Sequence, residues 1–239
     1  MLEIVKTRAR IVKVIQDTPE VKLLWLKPEK PIKFRSSQFI IVDIGGVKRS
    51  YSIASTQSKD YLEIGFNLHP EGKLTPTLYG KKEGEYVDIS GPYGGFILDE
   101  GLEDVVFISG GTGLTPLMGM MRTVVEKKLA MKLTLIYSAK TAEDVVYRKE
   151  LEGLKEAGKA SINVTLTRED PKRLLELNGA RQGLRYHSGR VDAQYIRECV
   201  PDLAKPTFYL CGPPGLIEAA VEALAELGVP KERIKREAW

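Results

Sequence analysis

Four short stretches carry residues whose types and order suit redox-cofactor chemistry. In Arg49-Ser50-Tyr51-Ser52-Ile53-Ala54-Ser55, the two-residue period of a strand puts Arg49, Tyr51 and Ile53 on one face and Ser50, Ser52 and Ala54 on the other. An arginine can neutralise a phosphate, a tyrosine two residues on can lie flat on an aromatic ring, and a serine can hydrogen-bond a ring nitrogen. Those are the demands of a flavin, although an edge strand with a solvated arginine and a half-buried tyrosine looks the same. In Gly72-Lys73-Leu74-Thr75-Pro76, a helix start presents free N–H groups that suit a diphosphate, or simply a capped helix. The third stretch, Gly110-Gly111-Thr112-Gly113-Leu114-Thr115-Pro116, follows the apolar run Val105-Val106-Phe107-Ile108-Ser109 and reads as strand, turn, helix. A turn stripped of side chains lets backbone N–H groups approach an anion, and the positive end of the next helix dipole adds attraction for a pyrophosphate. It lacks both the Lys-Ser/Thr ending of a P-loop and the G-x-G-x-x-G spacing, so a plain tight connection stays open as a reading. The fourth, Cys211-Gly212-Pro213-Pro214-Gly215, ends a second such strand, and two turns at the carboxyl ends of one sheet line a single crevice. Taken alone, Cys211 reads as a buried thiol.

The elements that must position these residues fall into two kinds. Strand-like runs at 3–14, 21–26, 38–44, 49–54, 61–68 and 86–90 are bounded by glycine, proline or polar residues, with one helix predicted at 75–81. Thr75 is expected as its N-cap and Pro76 as its first residue. So many short strands at this spacing predict a small antiparallel barrel. Beyond the acidic stretch 99–104 the pattern alternates: strands at 105–109, 132–137, 161–166 and 207–211, helices near 116–128, 145–157, 193–200 and 216–227. That predicts a doubly wound parallel sheet with nucleotide binding outside the strand carboxyl ends. The expected domains are therefore 1–99, a β-barrel that carries the candidate flavin strand, and 100–239, a nucleotide-binding α/β domain.

Composition narrows the classes. With 239 residues, 43% apolar and 28% charged, the chain is long enough for two domains and has none of the bias of disorder. No apolar run approaches bilayer length and the first residues lack the form of a signal peptide, so a cytoplasmic protein without a membrane span is expected. The net charge of +4 is spread among acids, which argues against nucleic acid as a partner. Cys199 and Cys211 are the only cysteines, too few for an iron–sulfur cluster or a structural zinc, and His69 and His187 are too far apart in sequence to suggest a metal site. Redox chemistry would need another cofactor, and cluster chemistry a separate chain.

Taken together, the motifs resemble the ferredoxin-NADP reductase superfamily of two-domain flavoproteins. Residues 49–55 match its Arg-x-Tyr-Ser-x-x-Ser strand, Gly72-Lys73-Leu74-Thr75 its flavin-diphosphate loop, and Gly91-Pro92-Tyr93-Gly94-Gly95-Phe96 the turn that closes its flavin domain. Gly111, Thr112, Gly113 and Pro116 match its pyrophosphate turn, and Cys211-Gly212-Pro213 the segment beside the nicotinamide. The resemblance covers nearly the whole chain. It implies that Tyr51 packs on the flavin ring, that Ser52 hydrogen-bonds near N5, that Arg49 and the amides around Thr75 hold the diphosphate, and that Ile53, Asn67 and His69 lie along the flavin. It implies Cys211 near nicotinamide C4, a proton-relay role for Glu237, and Trp239 as an aromatic lid, where a bare sequence reading gives a solvated acid and a frayed indole. Lys140, Arg168 and Arg190 match positions where bacterial members carry basic residues toward the 2′-phosphate, so NADP is favoured over NAD, and FAD over FMN.

The expected activity is hydride transfer between NAD(P)H and flavin, then single electrons to or from a separate carrier such as ferredoxin, flavodoxin or an oxygenase component. Two alternatives remain at this level: an NAD(P)H:flavin reductase that releases its flavin, and a non-catalytic nucleotide-binding subunit of a larger complex.

Overall fold

In the first part of the chain, alternation of β-branched and polar residues builds six strands: β1 (Val5–Gln16), β2 (Val21–Pro28), β3 (Phe39–Ile44), β4 (Val47–Ser52), β5 (Leu62–Asn67) and, after helix α1 (Thr75–Gly80), β6 (Tyr86–Tyr93). This is a computed structural model, describing residues 2–179 and 183–238. The strands run in the order β4-β3-β6-β1-β2-β5, every pairing antiparallel. Beyond β4 the chain crosses to β5 through the bridge Ile53↔Ile64, which brings the two ends of the sheet together into a barrel. Every second side chain faces inward, so Ile11, Leu24, Leu26, Ile40, Val42, Ile53, Ile64 and Ile89 form one core. Each such aliphatic side chain is worth roughly 1.5–3 kcal/mol of transfer free energy.

The next part alternates strand and helix. β7 (Asp104–Gly110) leads through a 3-10 turn (Gly111–Gly113) into α2 (Leu114–Glu126), followed by β8 (Lys132–Ala139), α3 (Arg148–Glu156), β9 (Ser161–Leu166), α4 (Pro171–Gly179), β10 (Tyr186–Ser188), α5 (Ala193–Cys199), β11 (Thr207–Gly212), α6 (Pro214–Glu226) and β12 (Ile234–Ala238). The sheet order is β10-β9-β8-β7-β11-β12, and all pairings are parallel. Its order reverses direction between β7 and β11, which makes the carboxyl ends of those two strands the switch point. A core of Val106, Ile108, Phe208 and Leu210 with Ile196, Ile217 and Leu224 covers one face with α5 and α6.

The chain separates into two compact units: residues 1–98 with 115–127, and residues 99–114 with 128–239. Helix α2 thus counts with the barrel. It fits there closely: a Cβ on Gly119 would stand 2.7 Å from the Ile53 carbonyl oxygen, so only glycine allows this approach. Arg122 donates to Glu63 Oε1 at 2.8 Å and to the Ala54 carbonyl at 3.0 Å, and Trp25 Nε1 donates to Glu63 Oε2 at 2.8 Å. The Glu63 side chain is only 4% exposed, so its charge depends on these donors.

Two details depart from the sequence expectation. Thr75 is the first residue of α1, not its cap. Leu74 occupies the cap position, and the Thr75 hydroxyl donates instead to the His69 carbonyl at 3.1 Å, closing the loop that precedes the helix. Strands β10 and β12 and helix α4 were not expected. β10 has three residues, β12 is a charged edge strand, and no α4 residue is fully buried, so none prints a strong apolar period.

Candidate cofactor and nucleotide sites

In the barrel unit the candidate residues gather at the end of β4 and in the loop before α1. Tyr51 is buried, packs edge-to-face on Phe66 with ring centroids 5.6 Å apart, and its hydroxyl has no hydrogen-bond partner. Burial pushes that hydroxyl's pKa up to about 12, against the opposing pull of the Arg49 charge. Ser52 is buried, whereas Arg49 is exposed and donates to its neighbour's carbonyl, Lys48 O, at 2.7 Å. Ile53 is core, and its N–H donates to the Gln38 carbonyl at 2.9 Å. At the end of β5, the Asn67 Oδ1 is also buried without a partner.

The loop from His69 to Thr75 is closed on itself. The Gly72 N–H donates to the His69 carbonyl at 2.8 Å, and a Cβ on Gly72 would stand 2.5 Å from Thr75 Oγ1. Leu74 puts its side chain into the barrel core and its carbonyl accepts from the Leu78 N–H at 3.0 Å, while Lys73 and His69 are exposed. Orphaned buried polar atoms are costly and few in folded proteins, so those of Tyr51 and Asn67 fit a group that supplies hydrogen-bonding atoms from outside the chain. Together with the Arg49 cation, these polar groups suit a flavin nucleotide.

In the second unit the two turns expected from sequence meet at the switch point. A Cβ on Gly113 would overlap the Cys211 carbonyl oxygen and the Gly212 Cα, and one on Gly212 would stand 3.0 Å from the Gly110 nitrogen. The backbone of the glycine turn therefore lies directly on that of residues 211 and 212. Gly111 has φ +55°, a left-handed conformation that favours glycine. The Ser109 hydroxyl donates to the Cys211 carbonyl at 2.9 Å, and the Tyr137 hydroxyl donates to the Gly111 carbonyl at 3.1 Å. These bonds hold the turn in one shape.

Cys211 and Glu237 are register neighbours on β11 and β12. Burial, with the Glu237 charge adding to it, drives the Cys211 thiol pKa far up, and burial raises the Glu237 carboxyl above its ordinary value. Burial opposes charge on both groups. Gly212 is buried in the strand end, and Pro213, exposed, is the residue from which α6 starts. The Trp239 expectation falls outside the described residues.

At the other end of the same carboxyl edge stand the three basic residues. Arg168 N–H donates to the Lys140 carbonyl at 2.8 Å, so the segments after β8 and β9 run side by side, and Gly189 N–H donates to the Leu166 carbonyl at 3.1 Å just before Arg190. Lys140, Arg168 and Arg190 are all exposed, following three adjacent strands. Among the described residues, no group of three or more His, Cys, Asp or Glu side chains could hold a metal ion.

Sequence reading passed over two residues of these sites. Thr115, in the first turn of α2, has a buried hydroxyl without a partner; it lies inside the glycine motif, so the signal was present. Tyr137, which ties down Gly111, carries no local signal, because only the sheet brings it there.

This pairing of a six-stranded antiparallel barrel with a parallel sheet whose switch point carries a glycine turn defines a class of two-domain oxidoreductase. Residues 9–97 match the oxidoreductase FAD-binding domain family and residues 107–222 the oxidoreductase NAD-binding domain family. The chain belongs to the ferredoxin-NADP reductase-like superfamily of oxidoreductases. It is 31% identical over 240 residues to the flavohemoprotein of Bacillus subtilis, with 95% of this chain and 57% of that protein aligned. It is also 31% identical over 240 residues to the reductase component of propane 2-monooxygenase from Rhodococcus jostii, covering 95% of this chain and 62% of that one. The crystal structure of a cytochrome P450 reductase from Amycolatopsis superposes with TM-score 0.84 at 26% identity, covering 100% of this chain and 71% of that one. The chain thus spans about 60% of the length of these curated relatives. Among the described residues no helix is long and apolar enough to cross a membrane.

Proposed function

We propose that this chain is an FAD-dependent oxidoreductase that takes hydride from NADPH and delivers single electrons to a carrier protein of the ferredoxin or flavodoxin type, or to an oxygenase component. Bound FAD supplies the chemistry: it exchanges two electrons with a nicotinamide and one at a time with a carrier. The chain's own residues bind, orient and control protons. Arg49 and the backbone of the Gly72–Thr75 loop hold the diphosphate, Tyr51 and Asn67 direct their unpaired polar atoms to the flavin, and Ser52 hydrogen-bonds the ring near N5. The glycine turn 111–113, followed by the first turn of α2, takes the nucleotide pyrophosphate. Cys211, buried where the two turns meet, keeps the strand end beneath a nicotinamide free of charge, and Glu237 beside it, its pKa raised by burial, is the acid placed to exchange a proton.

The observation that carries this reading is the pair of buried polar atoms without partners, Tyr51 Oη and Asn67 Oδ1, on a barrel of the FAD-binding family. Relatives named as reductase components of propane and glycine betaine monooxygenases support electron delivery to an oxygenase system. NADPH is preferred over NADH because Lys140, Arg168 and Arg190 line the edge where a 2′-phosphate would need cations. Arg168→Ala should weaken NADPH by about 1.5–3 kcal/mol, as for a charge-assisted hydrogen bond, and leave NADH nearly untouched. Steady-state KM values for the two nucleotides test this, and an equal loss for both would refute the assignment.

A further inference from the structure

The strand ends that carry Lys140 and Arg168 also carry acids. Glu143 and Asp144 follow β8, and Glu169 and Asp170 follow β9. A free carboxylate at such a strand end accepts the 2′-hydroxyl of an NAD ribose and repels a 2′-phosphate, so these acids ought to favour the wrong nucleotide. The structure has each of them engaged. Asp144 Oδ2 accepts from the Thr141 N–H at 3.0 Å and from its hydroxyl at 2.8 Å. Asp170 Oδ1 accepts from the N–H groups of Lys172 at 2.9 Å and Arg173 at 3.1 Å, at the start of α4. Glu169, whose side chain is 5% exposed, accepts from the Ala142 N–H at 2.8 Å and stands 3.9 Å from Arg173 Nε. Glu143 accepts from Arg173 Nη2 at 2.8 Å. One guanidinium therefore faces both glutamates, one from each strand end.

We infer that Arg173 is a specificity-determining positioning residue: by holding Glu143 and Glu169 on its guanidinium, it keeps two carboxylates from opposing a 2′-phosphate at Lys140 and Arg168. The inference rests on the NADP reading above. Its logic is electrostatic and not one of stability, because an exposed pair such as Arg173–Glu143, with side chains 46% and 60% exposed, adds little to folding. Removal of the charges separates this role from a direct grip on phosphate. If Arg173 only masks the glutamates, removing their charges makes the arginine dispensable.

The test is calorimetric titration of the purified full chain with two probes that differ by the phosphate alone, 2′,5′-ADP and 5′-AMP. The wild type should bind 2′,5′-ADP the more tightly. Arg173→Gln should lower that preference by about three- to tenfold, with 5′-AMP affinity and melting temperature unchanged, since unmasked charges at these strand ends act through partly screened solvent. The triple variant Arg173→Gln/Glu143→Gln/Glu169→Gln should restore the wild-type preference. An unaltered preference in Arg173→Gln overturns the inference, and so does a triple variant that stays impaired, which would make Arg173 a direct ligand. Equal affinity of the wild type for both probes would strike the NADP reading itself, before any variant is made.

Discussion

Tyr51 shows what a single side chain can say about a missing partner. Its type and spacing were legible in Arg49-Ser50-Tyr51-Ser52, but the unpaired state of its hydroxyl depends on what the barrel places around it. Tyr51→Phe should leave the apoprotein as stable or slightly more so, since an orphaned buried hydroxyl costs about 1–3 kcal/mol, while weakening flavin by about 0.5–1.5 kcal/mol. Apoprotein melting and a flavin titration read the two effects, and a loss of apoprotein stability would mean the hydroxyl is satisfied internally. Glu237 makes a pH prediction. Its carboxyl pKa is raised by burial in the folded chain, so its contribution to stability is fully present below the ordinary carboxylate value of 4.5 and is lost as pH rises through the raised folded value. Glu237→Gln should therefore gain in melting temperature relative to wild type as pH climbs from 4 to neutrality. A difference that stays flat over that range contradicts the burial assigned to this acid.

At the scale of elements, the strands with an apolar or alternating pattern were the ones legible in advance. β3, β5 and β7 carry unbroken or alternating apolar residues because each lies inside its sheet or closes the barrel, whereas β12 is a charged edge and α4 buries no side chain fully. The glycine turn was legible as well, though not its reason for lacking a Cβ at Gly113, which is the Cys211 backbone 98 residues further along. Gly113→Ala should force the two segments apart and cost about 1–3 kcal/mol, as overpacking does, with nucleotide binding lost and flavin content kept. Chemical denaturation and a nucleotide titration would report it, and normal nucleotide affinity in this variant would remove the turn from the site. Helix α2 lies within the stretch that matches the NAD-binding domain family and also packs closely on the barrel, where Arg122 neutralises Glu63. Arg122→Ala leaves a buried carboxylate without its cation and should destabilise by about 3–5 kcal/mol, whereas adding Glu63→Gln should recover most of the loss. Failure of that rescue in urea melts would show that the pair is not the source of the effect.

For the molecule as a whole, the order of architectures was readable because the two halves use different periods: two residues in the barrel, then alternating runs of strand and helix. What the sequence could not supply was the state of polar groups after folding, and those states carry the functional argument: Tyr51 and Asn67 unpaired in the barrel unit, Cys211 and Glu237 side by side in the other, and the acids near Lys140 and Arg168 already engaged. Together they predict one chain with two ligands and one traffic of electrons between them. The most direct measurement is an anaerobic titration of the extensively washed protein with NADPH, and in parallel with NADH, followed by visible absorbance. The account predicts a yellow protein that retains its flavin and bleaches in proportion to the NADPH added, more readily than with NADH; a colourless protein, or a flavin band that NADPH leaves untouched, would contradict it.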